Sequence, residues 1–314
     1  PPAVGEIRLV GGIVNNANFS FDGSMGGNIG GGTFITGASG SGTWDVTGTT
    51  IGRGKFENRL ILDGNTTISG QVTVTNYGNF WLENTNINAT SAIHLNGANT
   101  YLNIYALSST VMKIGALSGD GKVDSPGNTT SVTLSVGNDN GSATFSGTLV
   151  NSSSTLLNLT KAGSGTQTLS GTNTYTGVTT ISGGTLSVAT LANGSSNSNI
   201  GASRNAATNL VINGGTVRYS GVSGGSWRSF TVGNLGATFE SPTAGVTWNL
   251  NNSAQAPVIS GNLTFSGAGN IALNTHTLTA GDSSNRTLSG NISGSGALIK
   301  QGSGILTLSG TNNY

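Results

Sequence analysis

The chain has 314 residues, a formal net charge of +1 and only 7% charged residues, whereas ordinary globular domains carry about 25%. Nucleic acids and anionic membranes are bound by clustered lysines and arginines, so this composition argues against both kinds of partner. Cysteine is absent, which excludes disulfides and thiolate metal sites, and no run of 18 or more apolar residues predicts a transmembrane helix.

The composition predicts β structure with many bends. Glycine contributes 52 residues and hydrophobic residues make up 34% of the chain. The apolar residues alternate with serine, threonine and asparagine, as they do in half-buried strands. No window shows the i, i+3, i+4, i+7 spacing of an amphipathic helix. A chain rich in glycine, serine and asparagine could also be disordered, but the alternation makes disorder the lesser interpretation.

Residues 1–64 are the most irregular part of the chain. Their glycine clusters at 23–32 and 37–42 are too flexible for strong strands, and we interpret the region as first coils or an N-terminal cap. One strand face carries four charged residues at odd positions, which are Arg53, Lys55, Glu57 and Arg59. They form either a solvated outer face or a docking patch for another chain or for an acidic surface glycan.

Regular coils are predicted over residues 65–188. Strict alternation in the segments 71–75 and 92–96 places four aliphatic side chains on the buried face, namely Val72, Val74, Ile93 and Leu95. His94 then faces outward. Neither His94 nor His276 lies beside a nucleophile or a second metal ligand, so we interpret both as surface imidazoles and expect no metal site and no cofactor.

Outward-facing aromatic residues are the best binding signal. Trp81, Tyr101 and Tyr105 fall within one or two coils of one another, so they could form a platform for sugar rings or for a neighbouring solenoid. The alternative is that these rings cover bends of the chain.

Two polar segments are candidates for a catalytic or calcium site. Asp120, Lys122 and Asp124 share one side of a strand by alternation, which would suit acid/base or calcium chemistry. They lie where the chain bends, however, and we interpret them as a solvated turn. The segment 138–141 begins like a calcium loop but lacks the later glutamate, so a tight turn is the better interpretation.

A long internal repeat dominates the rest of the chain. Residues 161–175 and 300–314 agree at 11 of 15 positions. The shorter string Thr-(Phe/Leu)-Ser-Gly recurs at Thr144, Thr168, Thr264, Thr287 and Thr307. Where two copies of this string follow one another closely, they lie about 20 to 24 residues apart, a period typical of stacked repeats. Such spacing suits one coil of a β-solenoid, in which every coil solves the same packing problem.

The repeat resembles the passenger-associated transport repeat of bacterial autotransporters, also called the autotransporter-associated β-strand repeat. The matching positions are Leu157, Leu159, Lys161, Gly163, Gly165, Leu169, Gly171, Asn173, Tyr175, Gly177, Ile181, Gly184 and Leu186, and in the second copy Lys300, Gly302, Gly304, Leu308, Gly310, Asn312 and Tyr314. The resemblance implies a right-handed single-stranded parallel β-helix, with coils of about 20–24 residues as the spacing of the short string indicates. It also implies that these positions are structural.

We therefore predict one β-solenoid domain over residues 1–314, with loopier coils at 189–255 and regular coils at 256–314 that stop mid-repeat. The predicted function is a non-catalytic structural or adhesive element, secreted or on the outer surface of a Gram-negative-type bacterium. Its partners would be other copies, neighbouring surface proteins or surface glycans, and end-to-end or side-by-side stacking could form a filament. The alternatives are a glycan-binding adhesin and, less favoured, a polysaccharide-degrading β-helix enzyme.

Overall fold

The computed structural model describes residues 7–9, 18–22, 32–36, 39–40, 43–47, 59–63, 67–68, 70–75, 78–83, 91–105, 111–127, 130–221, 226, 228–242, 247–249, 257–261, 263–267, 270–275, 278–280, 283, 285–288 and 290–314. The chain divides into two compact units, Pro1–Leu159 and Thr160–Tyr314. Within the described part, one short 3-10 turn at Ala207–Asn209 is the sole helical element. No described helix is long and apolar enough to cross a membrane.

The strands are short, because glycine and asparagine interrupt each alternating run after a few residues. In the first unit they are β1 (Ile7–Leu9), β2 (Asn18–Asp22), β3 (Gly32–Thr36), β4 (Ser39–Gly40), β5 (Thr43–Thr47), β6 (Arg59–Asp63), β7 (Thr67–Ile68), β8 (Val72–Thr75), β9 (Asn79–Glu83), β10 (Ile93–Asn96), β11 (Tyr101–Tyr105), β12 (Val111–Lys113), β13 (Leu117–Gly119), β14 (Lys122–Asp124), β15 (Ser131–Val136), β16 (Ala143–Phe145) and β17 (Thr148–Leu149).

The remaining strands run to the end of the second unit. They are β18 (Leu156–Lys161), β19 (Thr166–Leu169), β20 (Thr179–Ile181), β21 (Thr185–Val188), β22 (Leu210–Ile212), β23 (Gly215–Tyr219), β24 (Thr231–Val232), β25 (Ala237–Ser241), β26 (Thr247–Asn249), β27 (Val258–Ile259), β28 (Leu263–Gly267), β29 (Asn270–Asn274), β30 (Leu278–Ala280), β31 (Arg286–Leu288), β32 (Ile292–Gly294), β33 (Leu298–Lys300) and β34 (Leu306–Leu308).

The first unit winds between parallel sheets. Sheet A has the order β1-β3-β6-β9-β11-β14-β17, and sheet B has the order β2-β5-β8-β10-β13-β16. Consecutive strands such as β8 and β9 lie in different sheets, whereas each strand pairs in parallel with one about a coil away. Since the pairing is parallel and in register, the chain must travel once around between partners. The predicted parallel β-solenoid is therefore confirmed.

The second unit repeats the same winding. Sheet C has the order β19-β21-β23-β25-β28-β31-β34, and sheet D has the order β20-β22-β24-β27. Two smaller parallel sheets, β26-β29-β32 and β30-β33, also belong to this unit. Each coil thus contributes one strand to each face that it crosses, as a stacked repeat requires.

The core lies between these sheets. The predicted inward residues Val72, Val74, Ile93 and Leu95 are all buried, which confirms the alternation seen in the sequence. In the second unit the Phe239 ring stacks on Phe265 of the next coil, with 5.6 Å between the ring centroids, and packs at a tilt against Phe230, with 4.8 Å between the centroids. Within each unit the described coils place apolar side chains above one another, so the core of that unit is a column of side chains.

Coil length varies more than the spacing of the short string predicts. Gln167 pairs with Leu186, and Leu186 in turn pairs with Val217, so the second of these two coils is much longer than the first. The long coil includes the segment 189–209, which connects β21 to β22 and contains no strand. Extra loop residues add little closure entropy, so one coil can lengthen while its strands stay in register.

Candidate binding surface on sheet A

The register of sheet A brings three of the predicted binding residues together. Tyr101 on β11 pairs with Asn79 on β9 and with Lys122 on β14. Trp81 pairs with Asn103, so Tyr101 and Tyr105 flank it diagonally on the neighbouring strand. Diagonal neighbours in a sheet lie within reach of aromatic side chains. The short alternating strands β9 and β11 therefore place the rings close together.

Ring contacts hold this group in place. The centroids of Trp81 and Tyr105 lie 6.0 Å apart with planes tilted by 42°, a favourable geometry for aromatic pairs. Lys122 Nζ lies 5.9 Å from the centroid of the Tyr101 ring, within the range of a cation–π contact. All four side chains are partly exposed. We call Trp81, Tyr101, Tyr105 and Lys122 the aromatic surface.

Buried polar groups support the aromatic surface. Asn103 Nδ2 donates to Asn79 Oδ1 at 2.5 Å, and both amides are buried. Asp124 forms an ion pair with Lys122, with 3.0 Å between Nζ and Oδ2. The cation is thereby balanced, and the surface carries no net local charge from this pair.

Asp124 corrects one interpretation from the sequence. It is not part of a solvated turn, because it is only 5% exposed. Its carboxylate accepts hydrogen bonds from Ser125 N at 2.8 Å, Ser152 N at 2.9 Å and Ser152 Oγ at 2.6 Å. Asp124 thus joins two coils by satisfying backbone donors at a bend. Asp120 is exposed and accepts from Gly97 N at 2.6 Å.

Of the charged residues predicted to form a patch at 53–59, only Arg59 lies within the described residues. Arg53 and Lys55 lie outside the described residues, and Arg59 is the first residue of β6. The register pairs Arg59 with Asn79, which places it in the same row of sheet A as Tyr101 and Lys122.

The other polar candidates have structural partners. His94 Nδ1 lies 2.8 Å from Ser118 Oγ on the next coil, and His276 lies outside the described residues. Segment 138–141 forms the predicted turn: Asn140 has a φ of 62° and Asp139 Oδ1 accepts from Gly141 N at 2.8 Å. No group of three His, Cys, Asp or Glu side chains with metal-binding geometry occurs in the described ranges.

The first long repeat holds a buried lysine. Lys161 is fully buried, and its Nζ donates to the carbonyl oxygens of Ala162, Gly163 at 3.1 Å and Gly183 at 3.3 Å. Gly183 belongs to the following coil, so the ammonium group joins the two. Positive φ angles at Gly163 (63°) and Gly184 (58°) bring the backbone into this corner.

Asparagine and tyrosine of the same repeat are also buried. Asn173 Nδ2 donates to Asn199 O at 2.6 Å, and the Tyr175 hydroxyl lies 2.7 Å from Thr179 Oγ1. Burial raises the pKa of Tyr175 well above its usual range. Three aliphatic positions of the motif, Leu169, Ile181 and Leu186, are buried as well. The remaining glycines, Gly165, Gly171 and Gly177, lie between these strands.

The second copy uses the same groups in a more exposed setting. Lys300 is exposed and donates to Gly302 O, and Tyr314 is 45% exposed. Asn312 Oδ1 accepts from Ile292 N at 2.9 Å, and its Nδ2 donates to Gly310 O at 3.0 Å. Its other motif positions are Gly304, which is buried, and Leu308, which is partly exposed.

Arg228 is a buried cation that the sequence analysis missed. It is 5% exposed, and its guanidinium donates to Ala192 O at 3.2 Å, Ser203 Oγ at 2.6 Å and Gly201 O at 3.1 Å. Desolvation lowers the pKa of this group. Arg228 therefore ties the long coil together. No sequence signal marks it, because it lies in an irregular segment without alternation.

Comparison with known proteins agrees with the repeat. A family model described as "Passenger-associated-transport-repeat" matches residues 159–188 and 298–314. The Adhesin BmaC autotransporter of Brucella suis biovar 1 is 33% identical over 131 residues, which are 42% of this chain but 3% of that protein. No solved structure matches the chain significantly. This chain therefore spans a small fraction of the relative's length.

Proposed function

We propose that this chain, an autotransporter passenger with passenger-associated transport repeats, is a non-catalytic adhesive element. As such a passenger it is a secreted or outer-surface protein of Gram-negative bacteria. The relative from Brucella suis bears the name adhesin, which supports an adhesive role for a passenger of similar sequence. The role of the whole protein is part of the proposal, because the matched region is a small part of the relative.

The observation that carries the proposal is how the buried ionisable groups are used. Lys161, Arg228 and Asp124 all bond to backbone groups or hydroxyls of neighbouring coils. A catalytic carboxylate or cation must face a cleft with free hydrogen-bonding capacity for a substrate. These three groups hold coils together instead, which favours a scaffold over a polysaccharide-degrading enzyme.

The contact site that we propose is the aromatic surface, and its ligand is a neutral sugar. Aromatic rings provide flat apolar area for the faces of sugar rings. Lys122 is balanced by Asp124 at 3.0 Å, so the surface offers little net attraction to acidic sugars. The neighbouring Asn79–Asn103 pair is already hydrogen-bonded. We therefore expect binding by stacking, with modest affinity for a single site and higher avidity for many copies.

A glycan array tests this site. The purified chain should bind neutral glycans, and Trp81→Ala and Tyr101→Ala should each weaken binding about tenfold, as expected from losing one aromatic contact of about 1 to 1.5 kcal/mol. Tyr219→Ala is the matched control, because Tyr219 is also partly exposed but lies in the second unit on β23. Equal binding by all four proteins would contradict the proposed site.

A second candidate ligand is an acidic glycan bound near Arg59. The backbone register that pairs Arg59 with Asn79 favours it, because it puts Arg59 two strands from Tyr101 in the same row of sheet A. Arg59→Glu should abolish binding of acidic glycans in that case and leave binding of neutral glycans unchanged. Retained binding of acidic glycans by this variant would remove the second candidate.

A further inference from the structure

A ladder of threonines runs along sheet C of the second unit. Thr166 pairs with Thr185, Thr185 with Thr216, Thr216 with Thr238, and Thr238 with Thr264. The pairing of Phe265 with Leu288 places Thr287 beside Thr264, and Thr287 pairs with Thr307. The threonine ladder is therefore Thr166, Thr185, Thr216, Thr238, Thr264, Thr287 and Thr307.

The ladder lies on the outer face of sheet C. Inward neighbours such as Leu186, Val217 and Phe239 are buried, whereas all seven threonines are partly or fully exposed. Side chains of successive strands in a parallel sheet repeat at about 4.8 Å. The face therefore presents a row of identical methyl and hydroxyl groups with a fixed period.

A second row of side chains lies beside the ladder on sheet C. Among the described residues of the two rows, the charged side chains all belong to this second row. It runs through Thr168, Ser187, Arg218 and Glu240, of which Ser187 is buried and the other three are partly exposed. Arg218 Nε bonds to Glu240 Oε2 at 2.9 Å. Since this contact uses Nε, the two terminal amino groups of the guanidinium can engage another carboxylate. The side chains of Arg218 and Glu240 are 38% and 26% exposed.

We infer that this face docks against the same face of a second copy of the chain. A periodic row can be matched along its whole length only by a surface with the same period, and another copy has that period by construction. A two-fold axis parallel to the strands, midway between β23 and β25, sets Thr216 opposite the partner's Thr238. It also sets Arg218 opposite the partner's Glu240. The charges are thus complementary under that symmetry, which is the requirement for an isologous contact.

The expected contact is weak when single. Six facing coils at about 4.8 Å, with two rows of side chains, cover about 300 Å² per copy, whereas a stable interface buries about 800 Å² per partner. Many copies on facing surfaces would compensate through avidity. The inference rests on the proposed adhesive function and specifies a partner: another copy, displayed on a neighbouring cell.

An aggregation experiment, in which charge-reversal variants are attached to beads, tests the inference. Beads coated with the whole chain should aggregate. Beads with Arg218→Glu, or with Glu240→Arg, should each aggregate about tenfold more slowly or not at all, because four like charges then meet at the axis. Mixed beads of the two variants should aggregate like the original protein, since each glutamate now faces a partner's arginine.

The mixing step separates docking from misfolding, because two damaged proteins would not restore aggregation together. Thermal unfolding of each variant checks this independently. Lack of aggregation by the original beads, or failure of the mixed beads to aggregate while the original beads do, would overturn the inference. Glycan binding by Arg218→Glu should persist, and Trp81→Ala beads should still aggregate, so this test and that of the proposed function fail separately.

Discussion

The outer faces of sheet A and sheet C are built on the same winding but differ in what they repeat. In sheet A the exposed positions change from coil to coil, so Trp81, Tyr101 and Lys122 form one local group. In sheet C the same outward position is threonine in seven successive strands. An irregular face can recognise a small ligand at one place, whereas a periodic face can match only a surface of the same period.

The outer face of sheet C depends on the buried column beneath it, and removing the side chains of that column should have the largest effect. Phe239→Ala deletes a ring that lies between Phe230 and Phe265 and directly between Thr238 and Glu240 in sequence. We expect a loss of about 3–5 kcal/mol in the free energy of unfolding, from lost burial and the cavity. Urea denaturation measures it, with Phe239→Leu as the milder control. A loss below about 1 kcal/mol would contradict the packing described.

Removing the carboxylate under the aromatic surface should have the next largest effect. Asp124→Ala leaves Ser125 N, Ser152 N and Ser152 Oγ without their acceptor, which should cost about 2–4 kcal/mol of unfolding free energy. Asp120→Ala, which loses one exposed bond to Gly97 N, should cost clearly less. Equal effects in thermal and urea unfolding would show that burial of Asp124 does not matter.

Ionic strength should separate the two faces. Docking through Arg218 and Glu240 uses charges at the surface, so bead aggregation should fall severalfold between about 0.1 M and 1 M salt, as the screening length drops from about 10 Å to 3 Å. Binding of neutral glycans by stacking should change little over the same range. Turbidity and array binding, measured on the same preparation, check this. A parallel loss of both activities would mean that one surface serves both.

Replacing a single ladder threonine should have the smallest effect on stability. Thr238→Val keeps the β-branched shape and the methyl group on an exposed strand position, so the free energy of unfolding should change by about 0.5 kcal/mol or less. Thr238→Gly is the contrasting control, because it removes the side chain and the stiffness that it gives the strand. A large loss for the valine variant would indicate that the hydroxyl is part of the fold.

The repeat spacing and the family resemblance predicted the parallel winding, and alternation predicted the core, as the buried Val72, Val74 and Ile93 illustrate. Alternation failed for Asp124, because turn-forming neighbours suggest solvent while the carboxylate in fact satisfies donors of a later coil. Arg228 could not be predicted either, since its partners Ala192, Gly201 and Ser203 come together only when the long coil closes.

The threonine ladder was missed for a different reason, which is register. The strings at Thr168 and Thr264 look equivalent, yet Thr168 pairs with Ser187 while Thr166 pairs with Thr185. The string at Thr168 is therefore two positions out of register with the strings at Thr264, Thr287 and Thr307, and an alignment of the repeats by sequence alone hides the ladder. The unequal coils on either side of Leu186 make the same point, because spacing along the chain does not fix spacing in the sheet.

Cysteine cross-linking tests the register most directly, since the chain contains no cysteine of its own. We predict that Thr216→Cys with Thr238→Cys forms a disulfide under mild oxidation, because paired positions lie about 4.8 Å apart. Thr216→Cys with Thr264→Cys, two coils apart at about 9.6 Å, should stay reduced within one chain. Efficient cross-linking of the distant pair, or none of the adjacent pair, would contradict the stacked coils on which both faces depend.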